Sequence, residues 1–94
     1  MYLIGDIGNT DIKICLFNSN LKLSRKIKLS TKKLNENIIY KKLSFLRKFD
    51  KQINKIVFSS VVPESFNLIK SSLKKLVKIK CLELIFKEFK IVSF

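Results

Sequence analysis

Residues 5–13 read GDIGNTDIK and lie between two apolar stretches near the start of the chain. Glycine and asparagine tolerate positive φ angles, and aspartate hydrogen-bonds its own backbone, so residues 8–11 predict a tight turn. Residues 2–4 before the turn, and the alternating apolar residues Ile12, Ile14 and Leu16 after it, predict two strands. The stretch therefore predicts two adjacent strands joined by a turn that is rich in polar groups.

The next twenty residues predict a third strand. Residues 18–20 read NSN, which is typical of a turn. Leu21, Leu23, Ile27 and Leu29 follow at even spacing with mostly polar residues between them, as in a strand with one face in water. The first 29 residues therefore predict a three-stranded antiparallel meander.

The apolar period then changes to that of a helix. Ile39, Leu43, Leu46 and Phe49 predict a helix of about three to four turns that begins after residues 35–37. Residues 53–60 are a short apolar run and predict a buried strand. Pro63 suits the first turn of a second helix. The apolar stripe of that helix consists of Phe66, Ile69, Leu73, Leu76 and Val77.

Residues 81–86 predict a fifth strand, whereas residues 87–94 show no clear period and no element is assigned to them. The order β-β-β-α-β-α-β, a meander followed by two αβ units, predicts an α/β fold in a single domain over residues 1–94.

The charge of the chain is strongly positive, +13 from 20 Lys and Arg against 7 Asp and Glu. Such a balance suggests a nucleic-acid partner. Nearly all of the cations are lysines, however, whereas specific recognition favours the planar arginine fork. AT-rich codon use, which enriches Lys, Ile, Asn and Phe together, is the better explanation. We therefore expect general attraction to polyanions and no specific nucleic-acid partner.

Cysteine use indicates a reducing environment. Cys15 and Cys81 lack the spacing of a metal site, and the chain contains no histidine, which argues against zinc. Each cysteine lies in an apolar run and is predicted to be a small buried residue. No signal-peptide pattern is present, and no apolar run approaches about 18 residues. We expect a cytoplasmic protein without a membrane span.

The predicted turn carries groups that suit the phosphates of a nucleotide. Gly8 allows a close approach of the backbone, and N–H groups in a tight turn form an anion-binding concavity. Asn9 and Thr10 add neutral donors, and Lys13 adds a charge that could reach a terminal phosphate. Asp6 is a plausible ligand of the Mg²⁺ that accompanies ATP.

An ordinary β-hairpin turn uses the same residue types, so the turn alone does not decide its function. Its charge sets it apart from the rest of the chain. Residues 1–20 hold one lysine and two aspartates, whereas the whole chain is strongly basic. The aspartates of the turn therefore need an explanation of their own.

Two strings resemble those of the type III pantothenate kinases. Residues 6–10 read DIGNT close to the initiator Met, and residues 59–63 read SSVVP, where the family passes from a strand to a helix. The family belongs to the actin-like superfamily, which opens with a strand, a D-x-G-x-T turn and a second strand. The resemblance covers residues 1–77 and fades from Lys78 onward. It implies a ribonuclease H-like (actin-like ATPase) half-domain.

The resemblance also implies an activity and a site. The activity is ATP-dependent phosphorylation of pantothenate to 4'-phosphopantothenate, the first step of coenzyme A biosynthesis. It implies Mg²⁺, a monovalent cation (K⁺ or NH₄⁺) and a homodimer. Residues 59–63 are structural in the family. The ATP-binding residues implied are Asp6, near Mg²⁺ directly or through water, and Gly8, Asn9, Thr10 and Lys13, in contact with the phosphates.

The departures from the family are as informative as the matches. Its catalytic acid lies in a later Gly-x-Asp-Arg motif, and a second phosphate loop and the adenosine pocket belong to its C-terminal half. This sequence contains no such motif. Asp50 falls in a predicted loop and has no feature of a general base. No catalytic residue is therefore assigned in this chain.

Without those parts, we expect a truncated N-terminal phosphate-binding domain, with the C-terminal domain absent, that is inactive by itself. A decayed gene, a split gene and a partial reading frame stay open at this point. Two alternative functions also stay open: a fragment of another actin-like small-molecule kinase, and a non-catalytic basic binding module.

Overall fold

The computed structural model describes residues 1–77 and 83–88. Its elements follow the predicted order β-β-β-α-β-α-β, with a short 3-10 helix added after the first α-helix. They are β1 (Tyr2–Ile7), β2 (Asp11–Phe17), β3 (Leu23–Ser30), α1 (Glu36–Leu43), the 3-10 helix (Ser44–Phe49), β4 (Lys55–Ser60), α2 (Pro63–Leu76) and β5 (Glu83–Glu88).

The five strands form one mixed sheet in the order β3-β2-β1-β4-β5. β1 pairs with β2, and β2 with β3, in antiparallel fashion, which confirms the predicted meander. β1 pairs with β4, and β4 with β5, in parallel. This is the predicted ribonuclease H-like arrangement, and it places β1 at the centre of the sheet.

Both α-helices pack with one face of the sheet. Alternate residues of β1, β2 and β4 are buried against helix residues in a single core. The core includes Leu3, Ile12, Ile14, Ile56 and Phe58 from the sheet, Ile39 and Leu43 from α1, and Ile69, Leu73 and Leu76 from α2. The other face, here called the open face, has no helix over it within residues 1–77. The functional groups described below lie on that face.

The helix boundaries have identifiable causes. The Asn35 side chain accepts a hydrogen bond of 2.9 Å from the Ile38 N–H and caps α1, as predicted from residues 35–37. The single helix predicted beyond this cap is divided, because α1 ends at Leu43 and the chain continues as a 3-10 helix to Phe49. Pro63 opens α2 at its first turn, which confirms its predicted role.

The third strand begins later than the sequence predicts. Leu21 and Leu23 were expected on its apolar face, but they are 72% and 54% exposed, while Ile27 and Leu29 are buried as predicted. Leu21 instead lies in the turn, with φ of 61°. The Asn18 side chain holds this turn by accepting hydrogen bonds of 2.9 and 3.0 Å from the N–H groups of residues 20 and 22.

Other boundaries differ by two residues. β4 begins at Lys55 instead of residue 53, and β5 covers Glu83–Glu88 instead of residues 81–86. Cys81 and residues 89–94 lie outside the described residues. Cys15 carries a free thiol, yet it is only partly buried on the open face and is not the core residue that was predicted. In the described ranges, no helix has the length and apolar character needed to cross a membrane.

Candidate functional site

The candidate site is built on the turn that joins β1 to β2. Gly8 N–H donates a hydrogen bond of 2.9 Å to the Asp11 carbonyl, and Asn9 and Thr10 connect the two strands. None of these residues has a positive φ, so the positive φ expected from glycine and asparagine in this turn is absent. A Cβ on Gly8 would lie only 3.1 Å from the Asp11 carbonyl oxygen. A larger residue would fit here only if the Asp11 backbone moved by a few tenths of an ångström.

The tip of the turn presents two available donors. Asn9 and Thr10 are exposed, and within the part of the chain that the structure describes their backbone N–H groups have no hydrogen-bond acceptor. Successive N–H groups in a turn can bind an anion without a charged side chain. The tip can therefore bind a phosphate oxygen through backbone groups alone.

The Asp6 carboxylate lies at the end of β1, immediately before the turn, and is exposed. Ser59 faces Asp6 on β4, because the two parallel strands pair in that register. The Ser59 hydroxyl donates a hydrogen bond of 3.0 Å to Asp6 Oδ1. The contact restricts the rotation of the carboxylate, so the direction of its second oxygen is defined before any ligand binds.

Two lysines extend the polar groups across the sheet. Lys13 on β2 is opposite Asp6, and Lys28 on β3 is opposite Lys13. Lys28 Nζ lies 3.5 Å from Asp11 Oδ2 in an ion pair whose members are both solvent-exposed. Ser59, Asp6, Lys13 and Lys28 thus form a polar row across four strands, at the edge of the sheet where the turn lies.

Thr31, just after β3, holds the turn from the side. Its backbone N–H donates to the Thr10 carbonyl at 3.0 Å, and its hydroxyl donates to the Gly8 carbonyl at 2.8 Å. The two acceptors flank Asn9. The turn is therefore fastened to the third strand at both of its sides.

The groups around Asp6 suit a metal ion that keeps most of its own water. Mg²⁺ is often held by one or two carboxylates together with waters and substrate phosphates. Over residues 1–77 and 83–88, no cluster of three Asp, Glu, Cys or His side chains could enclose a metal by itself. A single exposed carboxylate beside a turn with two available N–H donors would fit a hydrated Mg²⁺. No set of ligands for a monovalent cation can be assigned on the described residues.

All five predicted site residues (Asp6, Gly8, Asn9, Thr10 and Lys13) lie in one corner of the fold. Asp50, which was not assigned as a base, follows the 3-10 helix. Four residues further along the chain, the Asn54 N–H donates a hydrogen bond to the Met1 carbonyl, at the end of β1 opposite to the turn. Asp50 therefore lies towards the end of β1 that is remote from the turn.

The sequence did not reveal Ser59, Lys28 and Thr31 as neighbours of the turn. Ser59 stood within the SSVVP string but was interpreted as structural, because the register of β4 against β1 was not known. Lys28 and Thr31 had no signal beyond their position near the end of a strand whose partner strand carries the turn.

Comparisons with known proteins identify the family of the chain and support its fold. Residues 2–91 match the model of a family described as type III pantothenate kinase. Over 84 residues, covering 89% of this chain, it is 49% identical to a type III pantothenate kinase of Pelagibacter ubique (strain HTCC1062). The chain spans 34% of the length of that relative.

A solved structure shares the fold at much lower sequence identity. A putative N-acetylglucosamine kinase from Porphyromonas gingivalis superposes with a TM-score of 0.61 at 17% identity. The match covers 92% of this chain and 34% of the other. At this identity the likeness supports the fold and carries no information on the substrate.

Proposed function

Because the chain belongs to the type III pantothenate kinase family, we propose that it supplies the ATP phosphate-binding site for phosphorylation of pantothenate to 4'-phosphopantothenate, the first step of coenzyme A biosynthesis. The observation that carries the proposal is the turn at residues 8–11. It combines two available backbone donors with an oriented carboxylate and a lysine in the adjacent strands.

Each residue has a distinct task in this proposal. The N–H groups of Asn9 and Thr10 bind phosphate oxygens, and Gly8 lets the turn pass close to the opposite strand. Lys13 attracts and orients the terminal phosphate, since its ammonium is a mobile point charge. Asp6 holds the water shell of the metal in place on the side of the turn that faces β4.

ATP supplies the phosphoryl group when bound, and Mg²⁺ neutralises its charge. The work of the protein in such a transfer is mainly positioning and electrostatic stabilisation. The described residues offer both for the phosphates. The two carboxylates beside the turn have other roles in this proposal, since Asp6 holds the metal and Asp11 is paired with Lys28. No base is therefore assigned for the hydroxyl of pantothenate. We therefore expect no phosphorylation by the 94-residue chain alone.

The remaining family properties are proposed on the same basis. The monovalent cation (K⁺ or NH₄⁺), the homodimer and the cytoplasmic location follow from membership of the family. A different small-molecule substrate within the same fold is supported only by the sugar-kinase likeness, which concerns the fold.

The test is a comparison of two aspartates at the two ends of one turn. Calorimetric titration with ATP, with and without Mg²⁺, is made for the wild type, Asp6→Asn and Asp11→Asn. We expect Asp6→Asn to lose most of the Mg²⁺-dependent gain in affinity, because asparagine can still accept from Ser59 but cannot hold the hydrated metal by charge. Asp11→Asn should retain that gain, since its carboxylate is paired with Lys28.

Equal loss in both variants would contradict the role of Asp6, and absence of ATP binding in the wild type would contradict the proposed phosphate site. Measurable conversion of pantothenate by the purified chain would refute the expectation that it is inactive alone.

A further inference from the structure

The turn between β1 and β2 lacks the backbone geometry that usually stabilises a two-residue hairpin. Such hairpins favour turns with positive φ angles, because these match the twist of the flanking strands. Asn9 and Thr10 both have negative φ. Turns of the ordinary hand tend to splay the strands that they connect. An additional attachment is therefore required to hold this turn in one conformation.

Thr31 provides that attachment. Its hydroxyl donates to the carbonyl of Gly8, and its N–H donates to the carbonyl of Thr10, so its two bonds lie on either side of Asn9. The peptide unit is planar and rigid, so a hydrogen bond to its carbonyl oxygen also restrains the direction of its N–H group. The peptide of Gly8 ends in the N–H of Asn9. Thr31 consequently controls the direction of one of the two donors at the tip.

The side-chain bond is also sheltered. The hydroxyl of Thr31 and the carbonyl of Gly8 meet in a partly buried position, whereas the nearby ion pair of Lys28 and Asp11 is largely exposed. A sheltered hydrogen bond is stronger than an exposed ion pair, which water screens. Of these two side-chain contacts, the Thr31 hydroxyl is the better able to hold the turn.

We propose that Thr31 is a positioning residue of the phosphate-binding turn, which sets the direction of the Asn9 N–H through the carbonyl of Gly8. The predicted site does not include it. Its effect on the turn stands on the geometry alone, whereas its effect on ATP rests on the proposed function. A donor that is already aimed loses less freedom when the ligand binds, so Thr31 should raise affinity without contacting ATP.

The test uses amide hydrogen exchange of the full chain, followed by NMR, in four proteins. They are the wild type, Thr31→Val, Thr31→Ser and Ser30→Ala. Valine keeps the shape and the backbone N–H but removes the hydroxyl. Serine restores a hydroxyl, and Ser30→Ala removes an exposed hydroxyl one residue away. The Gly8 amide, which is bonded to Asp11, reports opening of the turn, and amides in the middle of β1 report opening of the sheet.

We expect the Gly8 amide of Thr31→Val to exchange about five- to tenfold faster, the equivalent of one lost hydrogen bond. The Thr31→Ser and Ser30→Ala proteins should stay within about twofold of the wild type, and β1 should be unchanged in all four. An unchanged Gly8 amide in Thr31→Val, or an equal acceleration throughout β1, would overturn the proposal.

MgATP titration of the same proteins separates this proposal from the proposed function. Weaker binding by Thr31→Val that Thr31→Ser restores supports the positioning role, and unchanged affinity despite a faster Gly8 amide overturns it for ATP. If the wild type does not bind MgATP, the proposed function fails, while the exchange rates still decide whether Thr31 holds the turn.

Discussion

The hydroxyl of Ser59 donates a 3.0 Å hydrogen bond to Asp6 Oδ1, although the two residues are 53 positions apart in the sequence. The contact exists because β1 and β4 are parallel neighbours that end at the same edge of the sheet. It joins the two strings by which the family is recognised. One string supplies a carboxylate, and the other supplies the group that orients it.

Ser59→Ala should weaken MgATP binding by about two- to tenfold, the value of one hydrogen bond. The free energy of unfolding should change by less than about 0.5 kcal/mol, because the contact is exposed. Calorimetric titration and urea unfolding measure the two quantities. Ser71→Ala is the matched control, since Ser71 makes a similar exposed hydrogen bond within α2. A loss of stability larger than the loss of affinity would show that Ser59 acts only as a structural residue.

Gly5→Ala should destabilise the protein by about 1–3 kcal/mol or more, as expected for overpacking of a core. Gly5 and Phe58 are paired across β1 and β4, and an added Cβ would lie 1.9 Å from the Phe58 ring. Phe58 is fully buried and has little room to move. Urea unfolding gives the change in free energy.

Phe58→Leu provides the internal control for this clash. In the double variant, the smaller leucine should leave room for the new methyl group. The double variant should therefore lose less free energy of unfolding than the sum of the losses in the two single variants. Full additivity would mean that Gly5 is needed for a reason other than space for the Phe58 ring.

Asn35→Ala should cost about 1 kcal/mol of stability, because it leaves the Ile38 N–H at the start of α1 without its side-chain acceptor. Asn37 lies two residues further on, at an exposed position of α1. Asn37→Ala should be neutral or slightly stabilising, because alanine favours the helix. Thermal unfolding of both variants distinguishes a cap from a general effect of asparagine. Equal melting temperatures for the two would contradict the cap.

Ile4→Lys should reduce binding of the neutral dye Nile red. The open face carries a shallow groove of about 300 Å³ at the end of β1 away from the turn. It is lined by Tyr2, Ile4, Phe17, Leu21, Lys55 and Val57. Apolar patches on a protein surface bind such dyes. Dye fluorescence is compared with Leu23→Lys, an exposed apolar residue outside the groove. A decrease of the same size in Leu23→Lys would contradict a specific effect of the groove.

Much of the fold follows from local patterns in the sequence. The strand at residues 2–4, the alternation in β2, the helix start near Asn35 and the proline at the start of α2 each depend on residues close in the chain, and each was predicted. Leu21 and Leu23 were misplaced because an asparagine side chain, not the apolar alternation, determines where the second turn ends. The hydrogen bonds of the Asn18 side chain extend the turn, and the pattern of apolar residues does not predict them.

The candidate site was predicted in part, for a related reason. Residues 6–13 are consecutive, so their proximity follows from the turn itself. Ser59 and Thr31 reach the turn from other strands, and their contacts depend on register across the sheet. A shift of one residue would turn either side chain to the other face. The register is an outcome of packing in the whole core, which is why the sequence alone did not reveal these two neighbours.

The central position of β1 has a consequence for the order of events in folding. The meander that contains the turn involves neighbours close in sequence, whereas β4 must close a loop of about fifty residues to reach β1. Closing long loops is slow compared with local pairing. During synthesis the turn is made first, and the chain must extend past residue 60 before Ser59 can reach Asp6. We therefore expect the turn to form early in folding, and Asp6 to gain its Ser59 partner only after β4 has joined the sheet.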